Sequence, residues 1–437
     1  MTYTPFTKPL NELISDDLNI LISEGISEGY WIEYKSEFQS SKKISKSIAS
    51  FANTYGGWYF IGVDADKTLN KATNICGFSL TDIHDPISKL RDSIKANIDP
   101  TPVFYPKLIN ISSDRAVLVV QVPDNQETPF INKDGRIYRR VFDSSDPVQE
   151  DNRYAVDRLV DNGRNIEKRF AKFCRDERTF CKAEEEHPWV NIFLSPYPLG
   201  TIDRYEMLST DGIENLINLS QKPINIYLNS KQEIGSGNLP FNAGQLGVGS
   251  VILRQVEPSE IAFNSLTAQF FADGRAKIFI PVKIVPCLRD DYIEKMKSLQ
   301  AKKALQLVSS SDKEQHNSEF LTFFDVHDLW AVITNLLNFY QDWYGSALEQ
   351  NSVRCAISLR NIWRLVPFCD MDEWGTHVQK FGLPAQNFDF VRIPIMKGKG
   401  IIVDFPLWEM VCKMIAVGFG LPISLFSDIF FKPTVLT

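Results

Sequence analysis

The sequence lacks a C-x-x-C pair, an excess of basic residues and any run of about 20 apolar residues. Each absence excludes something. The seven cysteines, Cys76, Cys174, Cys181, Cys287, Cys355, Cys369 and Cys412, are scattered and odd in number. That pattern argues against a zinc site or a disulfide framework and for free thiols in a reducing compartment. A formal net charge of −7 leaves no global basic field, so any nucleic-acid contact must come from a local patch. The apolar C-terminal stretch is broken by Asp404, Glu409, Lys413, Pro422 and Asp428, which reads as buried helix and strand rather than a membrane span. Met1-Thr-Tyr-Thr-Pro5 shows neither a basic nor an apolar leader pattern, so a cytoplasmic location without membrane contact is expected. No G-x-x-x-x-G-K-[ST] sequence occurs, which removes Walker-type ATP binding. The histidines His84, His187, His316, His327 and His377 are isolated, and no Ser/His/Asp or Cys/His arrangement is readable from spacing. No internal repeat is present.

What remains is an ordinary globular composition, 44% hydrophobic and 23% charged, long enough for two or three domains. Helical spacing predicts helices over 8–24, 40–52 and 80–96. Strands are predicted over 31–38, 58–63, 104–111 and 116–122, with a hairpin at Asp134-Gly135 returning through Tyr138 to Val141. These imply an α/β (α+β) domain with a mixed sheet over residues 1–162. Residues 163–188 read as a charged helical linker. Residues 189–437 read as a C-terminal domain, β-rich up to 287 and then mixed α/β. Within it lie a Gly/Asn/Pro-rich loop over 231–249, a polar break over 309–318, strands near 353–359 and 401–405, and a terminal helix near 407–418.

The chemistry concentrates near the N-terminus. Glu28-Gly-Tyr-Trp-Ile-Glu33-Tyr-Lys35 carries two carboxylates and a lysine before a helix. Phe51-Ala-Asn-Thr-Tyr-Gly-Gly57 then leads into an apolar strand that closes on Asp64 and Asp66. Clustered carboxylates repel unless a cation or a proton lies between them, so a divalent-metal site is the first functional idea. The ordinary alternatives are solvated surface acids for Glu28 and Glu33, and a strand-ending turn for Asp64. Asn53 and Thr54 read as local cap groups.

The E-x4-E-[FY]-K stretch, the F-A-N-T-x-G-G turn and the following I-G-V-D resemble the Schlafen-type AlbA domain, over roughly the first 160 residues. That resemblance implies a metal-dependent endoribonuclease cleaving tRNA or other structured RNA, with Glu28, Glu33 and Asp64 holding Mn²⁺ or Mg²⁺. Asp66 is the alternative third acid. Lys35 shares the strand face of Glu33 and would hold the scissile phosphate. Whether water or a ribose 2′-hydroxyl attacks is open. Lys42, Lys43, Lys46, Arg136, Arg139 and Arg140 would line an RNA groove, and Tyr30, Trp31 and Tyr138 would stack bases. Their ordinary alternative is a solvated face with buried rings. By analogy with two-lobed relatives a homodimer is expected, with a sensor or substrate-selecting C-terminal domain answering an unknown ligand or protein trigger. An anti-phage or stress-defence role follows by the same analogy. The alternative function is a non-catalytic DNA- or RNA-binding regulator built on the same domain.

Overall fold

A computed structural model describes residues 3–66, 68–83, 85–141, 146–175, 182–199, 202–221, 224–228, 232–237, 241–256, 265–285, 290–315, 322–345, 352–399 and 406–422. Its contacts divide into two units, Met1–Arg175 with Tyr197–Thr201, and Asp176–Pro196 with Ile202–Thr437. Helices and strands alternate in mixed sheets in both, an α+β architecture.

The N-terminal unit is built on strands β1 (Ile32–Lys35), β2 (Gly57–Ile61), β3 (Phe78–Ser79), β4 (Tyr105–Asn110) and β5 (Arg115–Val122). β1 runs parallel to β2, whereas β2, β3 and β4 each pair antiparallel with β5. Side chains alternate between two apolar layers. Ile32, Tyr34, Trp58, Phe60, Val117 and Val119 face the N-terminal segment with Leu10, Leu13, Leu18 and Leu21. Tyr59, Ile61, Leu118, Val120 and Val122 face helices α1 (Ser41–Ala52) and α2 (Pro86–Asn97). By the same alternation Glu33 falls on the α1 side of β1, where a doubly covered strand normally holds an apolar residue.

Two predicted helices differ. Residues 8–24 form short turns, Leu10–Glu12, Ser15–Asn19 and Ile20–Ser23, because Pro9 precedes the first and the Asp17 carboxylate accepts from Ile14 N–H. α2 starts at Pro86 rather than near 80, since Asp85 accepts from Ser88 N–H and proline suits the first turn. The hairpin is present: Asn132 N–H donates to Arg136 and Gly135 N–H to Asn132, followed by β6 (Tyr138–Arg139) against β7 (Val148–Gln149). Helix α3 (Arg153–Arg175) is continuous and lies within the first unit, so the domain edge falls near 175 rather than 162.

The second unit holds a seven-stranded sheet among the described residues. Its order is Ala243–Gly247, Ser250–Arg254, Thr267–Phe271, Ala276–Pro281, Trp189–Tyr197, Ser352–Arg360 and Phe390–Lys399. Helices Thr210–Ser220, Val326–Tyr344 and Pro406–Gly418 contribute to its apolar core. Strands Gln232–Gly237 and Ala243–Gly247 occupy part of the predicted 231–249 loop, and helix Leu299–Gln315 runs into the predicted polar break. The predicted strand at 401–405, with His84, His316, Cys181 and Cys287, lies outside the described residues. No described helix is long and apolar enough to cross a membrane.

Candidate functional site

Glu33 is 1% exposed. A carboxylate withdrawn this far from water needs partners, and it has three. Its Oε2 accepts from Arg140 Nη1 at 2.7 Å. Its Oε1 accepts from Ser47 Oγ at 2.8 Å and faces Lys35 Nζ at 3.0 Å. Ser47 is available because α1 places Ser45, Ser47 and Ser50 on its buried side, among Ile44, Ile48 and Phe51.

Arg140 is fully buried, so it does not line an exposed RNA groove as expected. Its Nε and Nη2 donate to Gly29 O at 2.9 and 2.6 Å, and its guanidinium lies 4.7 Å from the Phe51 ring centroid. One side chain thus ties β1, the loop before it and the hairpin together. Asn53 and Thr54 complete the tie and act at long range rather than as local caps alone. Asn53 Nδ2 donates to Phe130 O and Tyr138 O, Phe130 N–H donates to Asn53 Oδ1, and Arg140 N–H donates to Thr54 Oγ1. Gly56 holds the turn at φ +67°, where an added Cβ would lie 2.5 Å from Val122 O.

Glu28 is half-buried, and Tyr34 N–H donates to its Oε1 at 2.7 Å. Burial holds its carboxyl above the usual carboxylate range, a shift that the Tyr34 bond and the charge of Lys35 only partly offset. Tyr59, opposite Glu33 in the β1–β2 register, is buried, and its hydroxyl has no hydrogen-bond partner among the described residues. Asp64 is half-buried beyond the end of β2, with Asn74 Nδ2 at 3.5 Å from its Oδ2. Asp66 is exposed and holds a turn, accepting from Thr68 and Leu69 N–H at 2.7 Å each. Those two bonds keep its carboxyl below the usual range.

The expected three-acid metal set is not assembled. Among the described residues no three His, Cys, Asp or Glu side chains converge on a point. Glu33 already has Arg140 and Lys35 against its oxygens, and a divalent cation placed there would be repelled by both. The donor set therefore does not fit Mn²⁺ or Mg²⁺ in this arrangement.

The basic residues are brought together in part. Lys42 and Lys43 are exposed, and Lys46 lies one turn on along the same side of α1. Lys46 Nζ sits 4.6 Å over the Tyr138 ring, and Asn132 Nδ2 donates to Ser45 Oγ at 3.2 Å, so the hairpin packs alongside α1. Asp134 reports the juxtaposition. Burial alone would raise its carboxyl, but the Tyr138 hydroxyl bond, the Arg136 N–H and the charges of Lys46 and Arg136 bring it below the usual range. Arg136 and Lys133 are exposed on this hairpin. Arg139 is ion-paired with Glu150 and partly exposed. Tyr138 is buried, so it is not free to stack a base. Tyr30, Trp31 and Tyr55 form a cluster, with ring centroids 5.8 and 5.7 Å from Tyr30, and Trp31 and Tyr55 are exposed.

Spacing along the chain gave no sign of one further cluster. In the C-terminal unit Cys369 Sγ lies 3.4 Å from His327 Nε2, and His327 Nδ1 lies 3.8 Å from Asp325 Oδ1. Burial pushes the thiol well up and the imidazole down, so both favour their neutral forms. A nucleophilic cysteine needs the opposite pair of shifts.

No curated protein matches the chain. A solution structure of the N-terminal domain of a RecG-related protein from Nitrosomonas europaea is similar at 23% identity, covering 32% of this chain and 88% of that one, with a TM-score of 0.21. The DIP2311 protein from Corynebacterium diphtheriae is similar at 12% identity, covering 66% of this chain and 85% of that one, with a TM-score of 0.21. A family model described as Schlafen, AlbA_2 matches residues 28–149, the segment that runs from Glu28 to the end of β7. The chain therefore carries a Schlafen AlbA_2 domain over residues 28–149.

Proposed function

We propose that the Schlafen AlbA_2 domain binds structured RNA on the face formed by α1 and the 130–140 hairpin. The observation that supports this reading most is the packing of Lys46 over Tyr138, which puts the lysines of α1 beside Arg136. Exposed cations so arranged can meet successive phosphates. Tyr30, Trp31 and Tyr55 offer rings to an unpaired base. The buried Glu33–Arg140 pair holds the loop that carries Tyr30 and Trp31, through Gly29 O.

The test is retention of a folded tRNA on filters across a salt series. Lys42→Glu/Lys43→Glu is expected to weaken binding by at least tenfold and to flatten the salt dependence. Equal affinity and an equal salt slope would remove this face from the function.

The second reading is cleavage of tRNA or another structured RNA, favoured by Glu28. A half-buried carboxyl that binds its proton more tightly than usual, with Lys35 near it, suits proton exchange with a hydroxyl at a scissile phosphate. Dependence on Mn²⁺ or Mg²⁺ belongs to this reading and requires Glu33 to give up Arg140 first. A homodimer and a defence role stand with it. Denaturing gels of tRNA incubated with the wild type and with Glu28→Gln, in Mn²⁺ or in EDTA, separate the readings. Fragments in the wild-type lanes alone establish cleavage, and intact RNA throughout leaves a binding domain.

A further inference from the structure

One corner of the C-terminal unit presents rings to solvent. Trp363 is 51% exposed, Phe388 67% and Phe390 45%. A single exposed aromatic is ordinary, but three on adjoining segments are not. The corner is held by its backbone. Ile362 N–H donates to Asp389 O at 3.2 Å and Arg364 N–H to Gln386 O at 2.8 Å, which sets the Trp363 turn against the Phe388 segment. Asn361 and Arg364 take left-handed φ values of 54° and 55°, uncommon for residues with a Cβ. Asn361 Nδ2 also donates to His187 O at 2.6 Å, and Ile362 is buried. The turn is therefore fixed with its tryptophan outside.

Cations interleave with the rings. The Arg364 guanidinium lies 4.7 Å from the Trp363 centroid, and those of Arg360 and Arg392 each lie 5.6 Å from the Phe390 centroid. Arg360 is the register partner of Phe390, and Arg392 stands two residues further along that strand. Strand Phe390–Lys399 ends the sheet order among the described residues, so the rings lie at a sheet edge. Exposed Asp389 is the acid on this segment, against three arginines.

We propose that this corner is a stacking platform for a single-stranded stretch of RNA. Trp363, Phe388 and Phe390 take the bases, and Arg360, Arg364 and Arg392 meet the phosphates. Rings accept any base face, and guanidinium groups already lying on those rings can reach the backbone between bases. Charge complementarity selects the occupant: three arginines against one acid favour a polyanion, in a chain whose net charge is −7. The proposal uses residues of the C-terminal unit alone, so it and the N-terminal reading can fail separately.

The experiment uses the full chain and a fluorescein-labelled oligouridylate, read by anisotropy and by quenching of Trp363 fluorescence, taken as the difference between wild type and Trp363→Phe. Trp363→Ala and Phe390→Ala are each expected to weaken binding about tenfold, and Arg392→Glu to weaken it comparably. Trp363→Phe keeps most of the affinity and loses the quench. All four residues are at least partly exposed, so unchanged thermal midpoints check the fold. Unchanged affinity in both alanine variants, or no quench in the wild type, overturns the proposal. So does a dimer in light scattering that Trp363→Ala dissolves, which would give the corner to a second copy of the chain. Loss of tRNA binding in Lys42→Glu/Lys43→Glu with the Trp363 quench intact leaves both surfaces standing.

Discussion

The two units bury polar side chains on opposite terms. In the N-terminal unit Glu33 is met by a guanidinium, an ammonium and a hydroxyl, so opposite charges and a donor answer its burial. In the C-terminal unit Cys369, His327 and Asp325 also meet beneath the surface, but there burial drives thiol and imidazole toward neutrality. The two clusters therefore respond differently to the loss of a member. A buried ion pair that loses one partner leaves an uncompensated charge, whereas a neutral cluster loses only a hydrogen bond or some packing. Residue type alone would suggest catalysis at both places. Partners and burial make the first a tie between segments and the second an unactivated thiol.

The sharpest way to break this comparison is Arg140→Met. It leaves Glu33 buried against Lys35 and Ser47 alone, and it should cost about 3–5 kcal/mol. In a unit of this size that lowers the thermal midpoint by roughly 10 °C or more. Glu33→Gln added to Arg140→Met should restore part of the loss, and a double-mutant cycle in chemical denaturation measures the coupling. Additive losses would show that the pair does not tie the domain together.

A pH series addresses the other cluster. The folded-state pKa of His327 lies below its ordinary value of 6.5, chiefly through burial, so the unfolded chain binds the proton more tightly. Its contribution to stability is complete above pH 6.5, falls as pH drops below that value, and levels off beneath the folded-state pKa. The slope from this one group cannot exceed about 1.4 kcal/mol per pH unit. His327→Gln should flatten the thermal midpoint between pH 5 and 7 relative to the wild type. An unchanged profile would assign the acid sensitivity to other groups.

The smallest expected effect has the opposite sign. Tyr59 buries a hydroxyl with no partner among the described residues, and an unmatched buried donor costs about 1–3 kcal/mol. Tyr59→Phe should therefore be neutral or stabilising by about 1 kcal/mol in urea unfolding. A clear loss of stability would mean that the hydroxyl is engaged in solution.

Much of the N-terminal domain was legible in the chain. The apolar alternation of 57–61 and 115–122, the amphipathic 41–52 helix and the Asp134-Gly135 turn are local signals, and each element formed within a few residues of its expected place. The candidate site was legible in part. Glu28, Glu33 and Lys35 share β1 and the loop before it, and their nearness follows from chain distance. Arg140 lies 107 residues beyond Glu33, and its basic neighbours Arg136 and Arg139 made it look like one more surface cation. Asn53 likewise reaches a carbonyl 85 residues away. No local pattern records such bonds.

What the sequence determined by itself was the set of elements and the residue types held at β1, because helical and strand periodicity depend only on neighbours along the chain. What the tertiary structure decided was the role of each charge. Burial and pairing are set by which distant segments close over a side chain. Once α1 covered β1 and the hairpin delivered Arg140, Glu33 took Arg140 and Lys35 as its partners, the positions a divalent cation would have needed. The lysines left on the outside of α1 became the face available to RNA.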